Sequence, residues 1–242
     1  QHNIPAVLFV RGALMEDKDA YGRIVRAIGK GFLIGNHSHS HERASQIGFS
    51  AQTAQIERTQ SIIDRAYHDA GATQPVRTFR FPHLDRGCGN AHVIDYTTVP
   101  DRDRDFVESL FRDGVRLETD DLPSDEQIRM KQDIQDWLQQ NGFVALPTHE
   151  VTFPWYVQSE LGAAVDTLIT YSTSDWMILP RHAGKWPYRT IDDLKRKIDI
   201  DKALQSLESA NIVLMHDYGE EESLTHFQEL IMYFLNQNFV FL

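Results

Sequence analysis

At 242 residues, 41% of them hydrophobic, the chain can bury a sizeable core and suits one α/β domain or two small ones. A net charge of −11 argues against a nucleic-acid binder that relies on phosphate contacts, and against a basic membrane-surface protein. The lone cysteine, Cys88, excludes an internal disulfide, and no apolar run reaches the roughly 18 residues that would span a bilayer. Gln1 to Pro5 reads as the tail of a helix and a connection, and Ala6 to Val10 as an apolar strand. A start inside the tail of a helix leads us to expect further residues upstream of Gln1. Asp17 to Lys30 is an amphipathic helix with Ile24, Val25 and Ile28 on one face and Gly29 and Gly31 as its stop. Phe32 to Asn36 is a short buried strand that runs straight into His37-Ser38-His39-Ser40-His41. Ser50 to Ala70 is a second helix, capped by Ser50 and ended by Gly71. Arg77 to Phe81 is a strand that Pro82 breaks. The stretch from Leu84 to Pro123 is rich in Asp, Arg and Gly and reads as a surface insertion, with a short helix from Asp103 to Arg112. Ser124 to Gln140 is a helix opened by a capping box, Ser124 with Gln127, and stopped by Gly142. Strands follow at Phe143 to Leu146, Thr167 to Tyr171, Asn211 to Met215 and Phe239 to Leu242, and helices at Thr190 to Leu207 and Glu221 to Asn236.

Alternating strands and helices indicate mainly parallel pairing. The polar clusters sit just past strand ends: His37 and His41, Arg80, His149 with Glu150, Asp175, and His216. A barrel gathers such rims on one face, whereas an open doubly wound sheet spreads them along a line. Two neutral imidazoles four residues apart can face one ion if the chain turns between them, and imidazole is the commonest protein ligand for zinc. The pair alone is a weak motif, because a polar loop can hold three histidines with no metal in view.

Taken together, these residues resemble the polysaccharide deacetylases, carbohydrate esterase family four. His37-Ser38-His39-Ser40-His41 after Gly35-Asn36 matches that family's His-Ser/Thr-x-x-His motif. Arg80-Phe81-Pro82 matches its Arg-x-Pro motif, Leu214-Met215-His216-Asp217 its closing motif, and Asp175-Trp176 an Asp-Trp pair before the close. The lead-in Asn3-Ile4-Pro5-Ala6 is also typical. The resemblance covers most of the chain apart from about 84–142 and implies a distorted (β/α) barrel of about seven strands. It also implies a hydrolase that removes N-acetyl groups from an acetylated amino-sugar polymer or oligosaccharide, with one divalent metal ion, zinc above all. On that pattern His37 and His41 bind the metal, Arg80 positions the catalytic carboxylate, and His216 is the general acid. Asp175 orients His216, Trp176 and Leu214 line the acetyl pocket, and Pro82 and His83 border the substrate. His39, at the spacer position, is expected to pack or hydrogen-bond nearby. The family also implies a secreted, periplasmic or cell-envelope location.

The departures matter as much. The family's Thr-Phe-Asp-Asp-Gly-Pro motif carries the base and the third ligand, and it does not occur here; Asp120-Asp121-Leu122-Pro123 is the nearest sequence. The expectation is that the first strand and this motif lie upstream of Gln1. Were Gln1 the true start, two protein ligands would bind metal poorly and the site would be inactive. His83 stands where an aromatic residue often follows the Arg-x-Pro motif. Phe143 to Val151 could also be the strand that carries the fourth motif, with His149 or Glu150 in the place of Asp175. Two other functions stay open: a degenerate member that binds glycan without hydrolysing it, and an amidohydrolase acting on a small non-sugar amide.

Overall fold

The structure, a computed structural model, describes residues 4–89, 92–112, 122–146 and 149–241. Asn3 of the lead-in, the Asp120-Asp121 pair, Pro147, Thr148 and Leu242 lie outside the described residues. In chain order the helices are α1 (Lys18–Gly29), α2 (Ala44–Asp69), α3 (Asp101–Arg112), α4 (Asp125–Gln140), α5 (Pro154–Val157), α6 (Glu160–Ala163), α7 (Ile191–Ile200) and α8 (Glu221–Asn236). The strands are β1 (Val7–Val10), β2 (Leu33–Asn36), β3 (Tyr171–Ser172) and β4 (Val213–Leu214). The chain forms two units: Gln1–Asp95 with Thr119–Thr148 and Glu160–Leu168, and Tyr96–Glu118 with His149–Ser159 and Ile169–Leu242.

In the first unit, the carboxylate of Asp17 caps α1 by accepting from the Asp19 and Ala20 amides at 3.1 and 2.9 Å. Helix α1 returns the chain so that β2 pairs parallel with β1, with Val7 opposite Leu33 and Val10 opposite Asn36. One core packs Ile28, Ile34, Ile62, Ile63, Ala66 and Tyr67 together. A second gathers Ala44, Ile56, Phe79, Phe81, Ile134, Leu138 and Phe143. Helix α2 begins at Ala44, earlier than the Ser50 expected from sequence, and breaks at Gly48, whose φ of 80° and ψ of 170° no helix tolerates. The capping box of α4 forms as read: Ser124 Oγ accepts from the Gln127 amide at 3.3 Å, and the Ser124 amide donates to Gln127 Oε1 at 2.9 Å.

The α/β class is as expected, but the described residues do not close a barrel. They hold two parallel pairs, β1–β2 and β3–β4, and isolated parallel bridges Asn36–Phe79 and Arg77–Phe143. Threonine hydroxyls intercept strand amides. Leu146 N donates to Thr167 Oγ1 at 3.3 Å and Ile212 N to Thr170 Oγ1 at 2.8 Å, so these donors leave the backbone ladder. The strands expected at Arg77–Phe81 and Phe143–Leu146 are represented only by those isolated bridges, and Phe239–Phe241 forms no strand.

The stretch read as a surface insertion contains buried polar residues. Asp85 and Arg86 are 0% and 1% exposed, and Val93, Ile94, Val99, Val107 and Phe111 are buried too. Arg86 donates to Glu160 at 2.6 Å and lies 3.1 Å from Asp166, while Lys131 pairs with Glu160 at 2.9 Å. Cys88 is buried beside them, and burial pushes its thiol pKa up. For Glu160, burial works to raise the carboxyl, but Arg86, Lys131 and the Asp95 amide together hold it below its ordinary 4.5. A depressed carboxylate adds stability above its unfolded pKa and loses it as pH falls through the lower folded value. Lowering the pH from about 6 to about 3 should therefore reduce the unfolding midpoint from about pH 4.5 downward, and Glu160→Gln should flatten that part of the curve. Urea unfolding across this range checks it; an identical pH profile in the variant would refute the assignment.

In the second unit β3 and β4 pair parallel, with Tyr171 opposite Val213 and Ser172 opposite Leu214. Behind them Tyr171, Ile178, Leu194, Ile198, Leu204, Leu230 and Phe234 form the core. Helix α7 opens with a Thr190–Asp193 capping box but ends at Ile200, short of the expected Leu207. Asp201 Oδ1 takes the Ala203 and Leu204 amides instead and turns the chain. Helix α8 spans the expected Glu221–Asn236.

Candidate active site

In the first unit, β2 delivers the histidine loop. Asn36 is fully buried; its Nδ2 donates to Ile56 O at 2.9 Å, and its Oδ1 accepts from the Ser38 amide at 3.0 Å. The backbone of the loop is held from both sides. His37 N donates to Val10 O, Gly12 N to Ser38 O and Arg80 N to Asn36 O, each at 3.0 Å. His37 Nδ1 lies 2.8 Å from Arg80 O. A carbonyl oxygen can only accept, so Nδ1 carries the proton and, in the neutral ring, Nε2 is the nitrogen that bears the lone pair. The rings of His37 and His41 lie 4.9 Å apart, and those of His41 and His83 lie 4.5 Å apart. Ser38 and His41 adopt φ of 62° and 67°, left-handed values that non-glycine residues hold only under constraint.

Arg80 is 7% exposed; its guanidinium lies 4.4 Å over the Phe9 ring, and Nε donates to Thr167 O at 3.2 Å. Pro82 is buried at the start of a short turn, Pro82–Leu84, and His83 follows it exposed, with φ of 57°. His83 Nε2 reaches His41 O at 3.3 Å. Loss of hydration where the ring is covered lowers its pKa, and the charge of Arg43 adds to the effect. His39 packs away from a ligand role: a Cβ on Gly12 would lie 2.5 Å from its Nδ1 and 2.3 Å from Thr59 Oγ1. Among the described residues no three His, Cys, Asp or Glu side chains are gathered where one ion could bind them.

In the second unit, Asp175 and His216 stand just past β3 and β4. Thr173 N donates to Leu214 O at 3.0 Å and ties the two strand ends together. Asp175 Oδ1 lies 2.9 Å from His216 Nδ1 and accepts from Thr173 Oγ1 at 2.8 Å; Oδ2 accepts from the His216 amide at 2.9 Å. Burial works to raise the Asp175 carboxyl, but the His216 ring and these hydrogen bonds outweigh it and hold the pKa below the ordinary value. A carboxylate accepts and cannot donate, so His216 Nδ1 carries a proton. The ring stacks on Tyr218 at 5.2 Å. Asp175 is the carboxylate that holds His216, while His149 and Glu150 are exposed. Trp176 meets Trp186 at 5.0 Å and His182 at 5.5 Å, and Leu214 is half-buried in β4.

Residues 1–96 match the polysaccharide deacetylase family model. The resemblance read from the motifs is borne out over those residues, which include His37, His41, Arg80 and Pro82; Asp175, Trp176, Leu214 and His216 lie beyond the match. Among solved structures, the catalytic domain of a peptidoglycan N-acetylglucosamine deacetylase from Eubacterium rectale aligns with a TM-score of 0.53 at 15% identity, over 100% of this chain and 76% of that one. The deacetylase-like α/β fold is thereby shown. A family 4 carbohydrate esterase from Streptomyces lividans, in complex with acetate, aligns at TM-score 0.46 and 14% identity, over 98% of this chain and 77% of that one. A CE4 family pseudoenzyme from Bacillus anthracis aligns at 0.45 and 16%, over 96% of this chain and 52% of that one. The chain spans about half the length of that pseudoenzyme, 54% in its mutant form. A search of curated proteins gave no match. His37, His41, Arg80, Pro82 and His83 thus share the first unit, and Asp175, Trp176, Leu214 and His216 share the second.

Proposed function

We propose that the chain is a metal-dependent hydrolase that removes N-acetyl groups from an acetylated amino-sugar polymer or oligosaccharide. The observation that carries this reading is the bond from His37 Nδ1 to Arg80 O, which joins the two matched motifs and fixes Nε2 as the lone-pair nitrogen of the neutral ring. His37 and His41 would hold the divalent ion, for which zinc is the first choice given two imidazole donors. When bound, such an ion supplies a Lewis acid for the acetyl carbonyl and lowers the pKa of bound water. Arg80, buried and fixed by Thr167 and Phe9, would position the catalytic carboxylate that the family pattern implies. His216 delivers a proton from Nε2 to the leaving amine nitrogen, and Asp175 stabilises the imidazolium that holds it. Trp176 and Leu214 would accept the acetyl methyl, and Pro82 and His83 would border the sugar. The family resemblance supports a secreted, periplasmic or envelope location, where such glycans lie.

Elemental analysis of protein purified without added metal, alongside His41→Ala, tests the reading. About one zinc-like ion per chain, lost in the variant, with acetate released from chitin oligosaccharides, is the expected result. No metal in either protein after zinc is supplied would overturn it and favour a glycan-binding member without hydrolysis. Acetate release from small amides but not from oligosaccharides would redirect it to the small-amide reading.

A further inference from the structure

Between the two candidate ligands stand Ser38 and Ser40, and both are tied to one residue of α2. Gln55 Oε1 lies 2.9 Å from Ser38 Oγ, 3.0 Å from Ser40 N and 2.9 Å from Ser40 Oγ. Its Nε2 donates to Glu42 Oε2 at 2.8 Å. Ser40 Oγ also meets Glu42 Oε2, in a shorter contact. A hydroxyl has one proton, and the carboxylate takes it more strongly than a neutral amide. That leaves Gln55 Oε1 with two donors, Ser38 Oγ–H and Ser40 N–H, one for each lone pair. The orientation of the amide is fixed by the same logic, because Ser40 N–H requires an acceptor and Glu42 requires a donor.

The positions of these bonds give them their consequence. Ser38 directly follows His37 and is itself left-handed, and Ser40 directly precedes His41, also left-handed. A loop in that conformation needs its surroundings to hold it. Gly48 breaks α2, and Gln55 lies in the part of the helix that follows the break. We propose that Gln55 is a positioning residue for the metal site: by gripping both spacer serines it fixes the separation and aim of the His37 and His41 imidazoles. This rests on the metal-dependent reading above. It adds to the two motif histidines a helix residue that touches neither ring.

The test uses the full chain and zinc alone as the probe. Zinc affinity of wild type is compared with that of Gln55→Ala and of the double variant Glu42→Gln/Gln55→Glu, which exchanges acceptor and donor and keeps the network and the net charge. Losses of an outer-sphere partner run at about 10–100-fold in metal affinity. Gln55→Ala should fall in that range with an unchanged unfolding midpoint, and the exchanged pair should recover to within a few-fold of wild type. Amide hydrogen exchange at Ser40, measured without metal, should quicken in Gln55→Ala and slow again in the exchanged pair. Wild-type affinity in Gln55→Ala, or a folded exchanged pair that does not recover, would overturn the proposal. If wild type itself binds no zinc, the metal-dependent reading fails first, in a measurement that involves no Gln55 variant, and the positioning role falls with it.

Discussion

Replacing Arg86 by Met is expected to destabilise the protein by about 3–5 kcal/mol, the cost of leaving a buried charge without its partner. Methionine is close to arginine in length and apolar, so the side chain's packing is largely kept while the guanidinium is lost. What remains is the carboxylate of Asp166, 1% exposed, with Gln135 Nε2 at 2.9 Å as its neighbour. Its Oδ2 already has no hydrogen-bond partner among the described residues, so it has nothing in reserve. Glu160 suffers less, because Lys131 still pairs with it at 2.9 Å. The backbone loses an anchor too, since Arg86 Nη1 donates to Val93 O at 3.2 Å. Adding Asp166→Asn to Arg86→Met should restore a large part of the loss, because the stranded charge goes with it. Urea unfolding of the three proteins reads this directly. A cost under about 1 kcal/mol for Arg86→Met would mean that the buried network adds specificity of packing and little stability.

That network also shows where sequence reading loses its grip. A stretch dense in Asp, Arg and Gly looks solvated, and Arg86 is buried only because Asp166 and Glu160, distant in sequence, meet it. Gln55 is hidden for a related reason. A glutamine on a helix has no apolar signature, and its value lies in serines fifteen and seventeen positions earlier. Local signals fared better. The Ser124–Gln127 box and the bounds of α8 are set by nearest neighbours in the chain and appear as read. Strands depend on partners elsewhere. Thr167 and Thr170 look like good strand formers, yet their hydroxyls take amides that a longer ladder would use. The candidate site was legible as motifs, and the structure adds which atoms face which. It places the Asp175 carboxylate on both the ring and the amide of His216, with His149 and Glu150 exposed.

Asp175→Asn should lower the rate of acetate release by about 10³–10⁴-fold, as loss of a buried carboxylate behind a catalytic histidine does in hydrolases of the serine class. The reason lies in the proton inventory. The wild-type carboxylate accepts from the His216 amide, from Nδ1 and from Thr173 Oγ1 and donates nothing. An asparagine must place its NH₂ toward one of these donors. In the place of Oδ2 it meets the backbone amide and costs a hydrogen bond; in the place of Oδ1 it forces the ring to keep its proton on Nε2 and to accept at Nδ1, while Thr173 Oγ1 can turn its proton to Leu214 O, 3.0 Å away. In either placement the imidazolium that hands its proton to the leaving amine has lost its carboxylate neighbour. Substrate binding has no part in this exchange, so the loss should fall on kcat and leave KM within a few-fold. Nitrogen NMR of His216 gives a readout independent of turnover: Nδ1 should be the protonated nitrogen in wild type, and the assignment should reverse or mix in the variant. An unchanged tautomer together with an unchanged kcat would show that Asp175 serves to tie β3 to β4 and that His216 acts without it.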